Sequence, residues 1–321
     1  MKRDKILIGL LFSMVLWSCK NEKEIHLDLT ESPTELSIFG EDFISTELYE
    51  RDIAISPNGN EIIYTLGDYK QRKRCLVQIR KEDEKWGNPE ILNISGQYQD
   101  IEPFYAENGN KLFFASNRPV DKNSDRKDYN IWFSERSGAS WNEPIILSEK
   151  INTEQDEFYP SLSKNGNLYF TSTRKEGIGR EDIFISKMEG GEYQESEVLD
   201  TTINTKYFEF NSFINQDEDL LIFSSFGRPD GLGGGDLYYC QKDKDGKWSE
   251  AKNMGKKINS KKLDYCPFVD IERGNFYFTS DRTQEDQSTL STVDELKRFS
   301  NEIQNGMGNI YRIGIDELEL E

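Results

Sequence analysis

The sequence predicts an all-β fold made of one repeated unit, and three observations carry the prediction. Tight turns at Asn58-Gly59, Asn108-Gly109, Asn165-Gly166, Asp217-Glu218 and Arg273-Gly274 recur every 50 to 57 residues. Each is followed by an apolar, mostly aromatic run: Ile62 to Thr65, Leu112 to Ser116, Leu168 to Ser172, Leu221 to Ser225 and Phe276 to Ser280. Each unit then supplies a third extended run and an outer fourth. Repeats of this length built from short strands pack around an axis as a β-propeller.

Three segments are expected in order along the 321 residues. Met1 to Lys5 is a basic n-region, and Ile6 to Trp17 is an apolar core of about 12 residues, too short for a comfortable membrane span. Leu16-Trp17-Ser18-Cys19 resembles the lipobox of bacterial lipoproteins, although Trp17 departs from the usual small residue. The resemblance implies a signal peptide over 1–18, lipidation of Cys19, and attachment to a membrane through that lipid; several acyl chains hold stably where one does not. Lys20-Asn21-Glu22-Lys23-Glu24 is similar to the charged patch of lipoproteins displayed on the outer membrane, which favours the outer face over the periplasmic one. Residues 19–37 are polar and aperiodic and read as a flexible tether. Residues 38–321 form the propeller.

Blade three shows the unit most cleanly. Glu157 to Ser163 is the first strand, Lys164-Asn165-Gly166-Asn167 the hairpin turn, Leu168 to Ser172 the second strand and Asp182 to Ser186 the third. Asn-Gly supplies the positive φ such a turn requires. Outer strands carry Trp86-Gly87-Asn88-Pro89, Trp141-Asn142-Glu143-Pro144 and Trp248-Ser249-Glu250-Ala251. Proline suits an edge strand because it lacks a ladder donor. Ile55-Ser56-Pro57-Asn58-Gly59, Ser116-Asn117-Arg118, Ser172-Thr173-Arg174, Ser280-Asp281-Arg282 and Asp182-Ile183-Phe184 resemble the PD40 family of WD40-like repeats, the propeller type of the TolB C-terminal domain. That resemblance spans residues 39–315. It implies a propeller and a protein- or glycan-binding role.

The two ends set the blade number. Ile44-Ser45-Thr46 matches Ile151-Asn152-Thr153 and Ile203-Asn204-Thr205, which end outer strands. Blade five runs out after three strands, near Ile313. Residues 36–46 are therefore expected to close it, giving five blades; six blades, with Gly314 to Glu321 in a further sheet, is the alternative. A short helix is expected inside blade five over 292–304. Thr292-Val293-Asp294-Glu295 is a capping box, Gly306 a stop, and Val293, Leu296, Phe299 and Ile303 form one stripe.

Composition bounds the chemistry. A net charge of −19 argues against nucleic acid, which needs a dense basic surface. The single histidine, His26, precedes the propeller, so no Ser-His-Asp triad, Cys-His pair or histidine-ligated zinc can form within it. Paired-carboxylate glycoside chemistry is not excluded. Cys75, Cys240 and Cys266 sit among apolar strand residues and read as buried thiols; one disulfide among them is the alternative.

Two rings emerge when the blades are aligned on their turns. Glu50, Asp100, Glu157, Glu209 and Asp264 begin the first strands; Arg118, Arg174, Arg228 and Arg282 follow the second strands. First strands line a propeller's channel, so the carboxylates are expected near one mouth. They would serve as carboxylate–arginine clamps or as a ligand or cation site, with Ca²⁺ the metal suited to oxygen ligands. No catalytic residue and no required cofactor are assigned. The function expected is a non-enzymatic envelope lipoprotein that offers one face to a protein partner or glycan. The alternatives are a carbohydrate-active enzyme using channel carboxylates, or a structural subunit of an envelope assembly.

Overall fold

The computed structural model describes residues 27–121, 125–284 and 289–320. Cys19, His26 and the leader lie outside the described residues. Among the described residues, five antiparallel sheets of four or five strands surround one axis, and a two-stranded hairpin, Met188–Glu189 with Glu192–Tyr193, stands beside them. Their inner strands are Tyr49–Ile55, Asp100–Ala106, Glu157–Leu162, Phe208–Ile214 and Asp264–Asp270. The second strands are Glu61–Gly67, Lys111–Ser116, Leu168–Ser172, Leu220–Phe226 and Asn275–Ser280. Third strands follow at Arg74–Glu82, Asn130–Ser137, Asp182–Ser186, Asp236–Gln241 and Asn309–Gly314.

The second strands read as continuous apolar runs because both faces are covered by neighbouring blades. Phe114, Phe170, Phe223 and Phe276 are all fully buried. Each such side chain contributes about 2–3 kcal/mol relative to exposure.

Closure takes the five-bladed form. Ser37–Ile38 pairs antiparallel with the third strand of blade five, Ser37 opposite Arg312 and Ile38 opposite Tyr311. The Phe39 N–H donates to the Ile310 carbonyl at 2.8 Å, continuing the ladder. Pairing the last blade's edge with the first strand of the chain removes an open edge from the ring. Among the described residues, the C-terminal segment adds no sixth blade: Ile315–Glu317 is a 3₁₀ turn, and Leu318 is buried in the core.

Part of the expected tether is packed instead. Leu29 is buried, and the Asn275 side chain donates to its carbonyl at 2.9 Å. Trp86 Nε1 donates to the Leu27 carbonyl at 2.8 Å. Arg312 reaches the Asp28 carbonyl and the Glu31 carboxylate at 2.6 and 2.7 Å. Alternation of Leu27 and Leu29 with polar residues is too brief to read as structure without the surface that receives it.

Two glycine positions fix how adjacent blades meet. A Cβ on Gly179 would lie 2.3 Å from the Thr205 carbonyl oxygen, and one on Gly233 would lie 2.3 Å from the Lys261 carbonyl carbon. The repeated Gly-Ile-Gly and Gly-Leu-Gly loops therefore let one blade's backbone rest on the next.

Helix α1 spans Val293–Ser300, with both halves of the Thr292/Glu295 capping box formed. It is shorter than the stripe suggested, because Asn301 ends it. The stripe is only partly covered: Val293 and Leu296 are exposed, whereas Phe299 and Ile303 are half-buried.

Candidate functional site

The aligned carboxylates each occupy a separate seam between blades, fully buried. The Glu157 carboxylate accepts from the Thr153 N–H and hydroxyl at 2.9 and 2.7 Å, both on the preceding outer segment. It also accepts from Ser172 Oγ and Arg174 Nη2, each at 3.1 Å. Arg174 donates as well to the Ile151 carbonyl across the seam and lies over the Phe170 and Phe184 rings. Arg118–Asp100, Arg228–Glu209 and Arg282–Asp264 repeat the arrangement at 2.6, 3.2 and 2.6 Å. The carboxylates thus tie strands together and are not brought to one another. Among the described residues, no group of three or more His, Cys, Asp or Glu is placed to hold a metal ion.

Blade one lacks the arginine. Leu66-Gly67-Asp68 stands where the others carry Ser-x-Arg or its one-residue extension. Glu50 keeps its Thr46 contacts at 2.9 and 2.5 Å and gains only the Asn309 amide at 3.1 Å. Burial pushes its carboxyl up to about 7.

A second ring lies two residues further along each inner strand, and the sequence analysis missed it. Asp52, Glu102, Tyr159, Asn211 and Cys266 all adopt left-handed backbone, with φ between 49° and 62°. The pairing register shifts at each of these positions. Each is a bulge, and it re-aims one side chain that strict alternation would place elsewhere. Non-glycine residues held left-handed cost about 1–3 kcal/mol each, a strain that concentrates at functional sites. A signal was present in three blades. Pro103, Pro160 and Pro267 follow the bulged residues, and an inner strand excludes proline except at a bulge.

The bulged side chains meet across the channel. Arg51 Nε donates to Asp52 at 2.7 Å and its Nη2 to Glu102 at 2.8 Å, so one guanidinium spans both carboxylates. Asn211 Nδ2 donates to Glu102 at 3.2 Å. The Cys266 thiol donates to the Asn211 side-chain oxygen Oδ1 at 3.7 Å and accepts from Arg51 Nη2 at 3.6 Å. Arg51 also lies over the Tyr265 ring, 5.0 Å from its centroid. Burial pushes the Glu102 carboxyl up to about 7, against the pull of Arg51. Burial likewise raises the Cys266 thiol far above its ordinary range, which keeps it protonated.

One hydrogen bond here follows from a single substitution in the repeat. Thr65, Thr171 and Thr279 each accept the bulge N–H of the next blade, from Glu102, Asn211 and Asp52. Blade two carries Ala115 at the matching position. The Tyr159 N–H therefore donates to the Glu102 carboxylate, at 2.8 Å.

A cleft of about 1010 Å³ opens on the face where the inner strands begin, over blades one and two. It exists because blade one joins its second and third strands with only residues 68–73, whereas the other blades use 117–129, 173–181, 227–235 and 281–308. Leu48, Leu66 and Ile91 give it apolar surface; Arg72, Lys73, Arg74, Arg126 and Lys127 give it charge. Arg74 Nε donates to Gln99 at 2.8 Å, Tyr129 donates to the same oxygen at 3.0 Å, and Arg74 also contacts the Tyr129 hydroxyl. Arg74, which lines the cleft, is close enough to Glu102 to draw that carboxyl's proton affinity down, but Glu102 and Asp52 are buried and do not themselves line the cleft.

No family model matches the chain, and no curated protein matches it. Solved structures do. An α-L-arabinofuranosidase from Podospora anserina is 10% identical, with 88% of this chain and 98% of that one covered and a TM-score of 0.51. The β-propeller domain of the Trilobed protease from Pyrococcus furiosus is 12% identical over 72% of this chain and 77% of that one, with a TM-score of 0.41. A puromycin-hydrolysing peptidase from Mycobacterium tuberculosis is 13% identical over 82% of this chain, with a TM-score of 0.41; the chain spans 42% of its length. Likeness to the arabinofuranosidase at 10% identity shows a shared fold alone.

The expectation of a non-enzymatic binding module is corrected by this comparison. A structure matched along nearly the full length of both chains is an α-L-arabinofuranosidase, so the fold gives no ground for setting catalysis aside. The earlier expectation rested on the missing histidine, which excludes only histidine-dependent chemistry. Carboxylates suffice for glycoside cleavage, and the bulges gather two of them.

Proposed function

We propose that this chain is a carbohydrate-active enzyme of the cell envelope that cleaves glycosidic bonds with Asp52 and Glu102. The observation that carries this reading is a contrast between the two rings. The clamp ring repeats one chemistry in every blade, as a structural device does. The bulge ring repeats its strained backbone but varies its side chains: Asp, Glu, Tyr, Asn, Cys. Variation within a conserved backbone device marks a site where one particular constellation matters.

Glycoside cleavage takes an acid and a second carboxylate as base or nucleophile. Glu102, with its carboxyl near 7, is protonated for a substantial fraction of the time at neutral pH and serves as the acid. Asp52, on the other arm of Arg51, is the second carboxylate. Substrate enters by the cleft and displaces the Arg74 side chain from Gln99 to reach Glu102. In the same proposal the leader and Cys19 hold a PD40-like propeller at the outer face of the outer membrane, where an envelope or environmental glycan is its partner.

The test is release of reducing ends from a panel of polysaccharides by the purified 27–321 chain. Activity lost in both Asp52→Asn and Glu102→Gln, with the folded state retained at pH 6, supports the reading. Activity unchanged in Glu102→Gln, or absent against every glycan, overturns it.

A further inference from the structure

We infer that the cleft over blades one and two selects an acidic polysaccharide, one whose sugars bear carboxylates. This inference rests on the glycoside-cleaving reading of the same site and names its substrate class. The whole chain carries −19, yet the cleft lining holds Arg72, Lys73, Arg74, Arg126 and Lys127 against only Asp68 and Asp125. A local reversal of sign on an acidic protein focuses an anionic ligand there and repels it elsewhere.

The cations divide by what already holds them. Arg72 is ion-paired to Asp68 at 3.2 Å, and Arg126 to Asp128 at 2.5 Å. Arg74 is engaged with Gln99 and Tyr129. Lys73 and Lys127 are exposed and make no ion pair among the described residues. These two ammonium groups remain for a ligand. A compact ammonium suits a spaced row of single carboxylates, whereas a bidentate fork would suit one fixed anion.

The rest of the lining argues for a sugar. Leu48 and Ile91 are 40% and 57% exposed, offering apolar surface to the hydrophobic face of a pyranose. Gln97, Gln99 and Asn117 supply amide donors and acceptors for hydroxyls. Nucleic acid would meet the rest of a strongly acidic surface beyond the cleft, and its phosphates need a much denser basic track.

The experiment is affinity measurement by titration calorimetry with the Glu102→Gln chain, which separates binding from cleavage. The probes are polygalacturonate oligomers, the same oligomers fully methyl-esterified, a neutral arabinan and a sulfated dextran. Expected is binding to polygalacturonate that weakens with salt and falls about tenfold or more, equivalent to about 1.4 kcal/mol, on esterification or in Lys73→Glu/Lys127→Glu. Equal affinity for the esterified or neutral probe, unchanged binding in the lysine variant, or binding of the sulfated dextran alone overturns the inference. Acid-selective binding by a chain whose wild type cleaves nothing would sink the catalytic reading while leaving the selectivity. Cleavage without discrimination between acidic and neutral polymers would do the reverse.

Discussion

Replacing Arg174 by Met tests the clamps against a control that the protein itself contains. Glu157 and Glu50 are the same residue in equivalent seams, each gripped by a threonine N–H and hydroxyl. Only Glu157 has an arginine, and Glu50, without one, rises from 4.5 to about 7. Removing Arg174 should drive Glu157, already raised by burial, further the same way. Each unit of further rise costs about 1.4 kcal/mol when the group must be ionised, and breaking a buried pair by removing one partner costs roughly 3–5 kcal/mol. Methionine keeps apolar volume over Phe170 and Phe184, so packing loss is small. The sign follows from linkage. A carboxyl raised in the folded state contributes stability below its unfolded value and loses it as pH climbs through the folded value. The variant should therefore melt roughly 6–12 °C below wild type at pH 8. At pH 5 it should differ by about 1 kcal/mol, the cost of the lost hydrogen bonds. Thermal and urea unfolding at both pH values measure this. Equal deficits at pH 5 and pH 8, or a pH 8 deficit under about 1 kcal/mol, would refute the reasoning.

Other outcomes follow from the same groups. In the wild type, Glu50 and Glu102 near 7 and Asp281 near 6 should make stability fall between pH 5 and pH 8, and Glu50→Gln should flatten that fall in a melting series. Ala115→Thr should capture the Tyr159 N–H, as Thr65, Thr171 and Thr279 capture theirs, and raise the Glu102 carboxyl further; the basic limb of the activity profile should move to higher pH. Thiol labelling of the folded chain should modify Cys75, which is half-buried and lines the cleft, before Cys240 and Cys266, which are buried; mass spectrometry of timed samples reads the order. Deleting residues 27–38 should speed amide exchange across Asn309–Gly314 far more than across the third strands of other blades.

What could be read from the sequence was whatever the repeat states more than once. The five turns, the aromatic second strands and the Ile-Ser-Thr match that identifies the closing segment are all written in local pattern, and the structure follows them. The clamps were legible as residues, and their carboxylate–arginine pairing was one of the two roles expected for them; what the pattern did not show is the seam into which each inner strand aims its first carboxylate. Glu157 turns into the seam, while the backbone N–H of Tyr159, two residues on, donates to Glu102 of the neighbouring blade. Period-two reasoning assigns both residues one face, and only Pro103, Pro160 and Pro267 hinted otherwise. The cleft was illegible for another reason: it is made by what blade one lacks, a long loop and an arginine. The packing of Leu27 and Leu29 was equally hidden, since the surface they fill is assembled from residues up to 312.

The way the ring is closed also decides how it fails under load. Four blades are built from contiguous chain, but blade five is sewn to the other end by the pairs Ser37–Arg312 and Ile38–Tyr311, flanked by backbone bonds from Phe39 to Ile310 and from Gly314 to Pro33. Tension applied to the N-terminal end reaches that seam after stripping the contacts of Leu27, Asp28 and Leu29, one after another. Under such a pull the seam should part first, while blades one to four, each with its own hairpins, should hold; a stretching measurement should then show one early step before the main unfolding events.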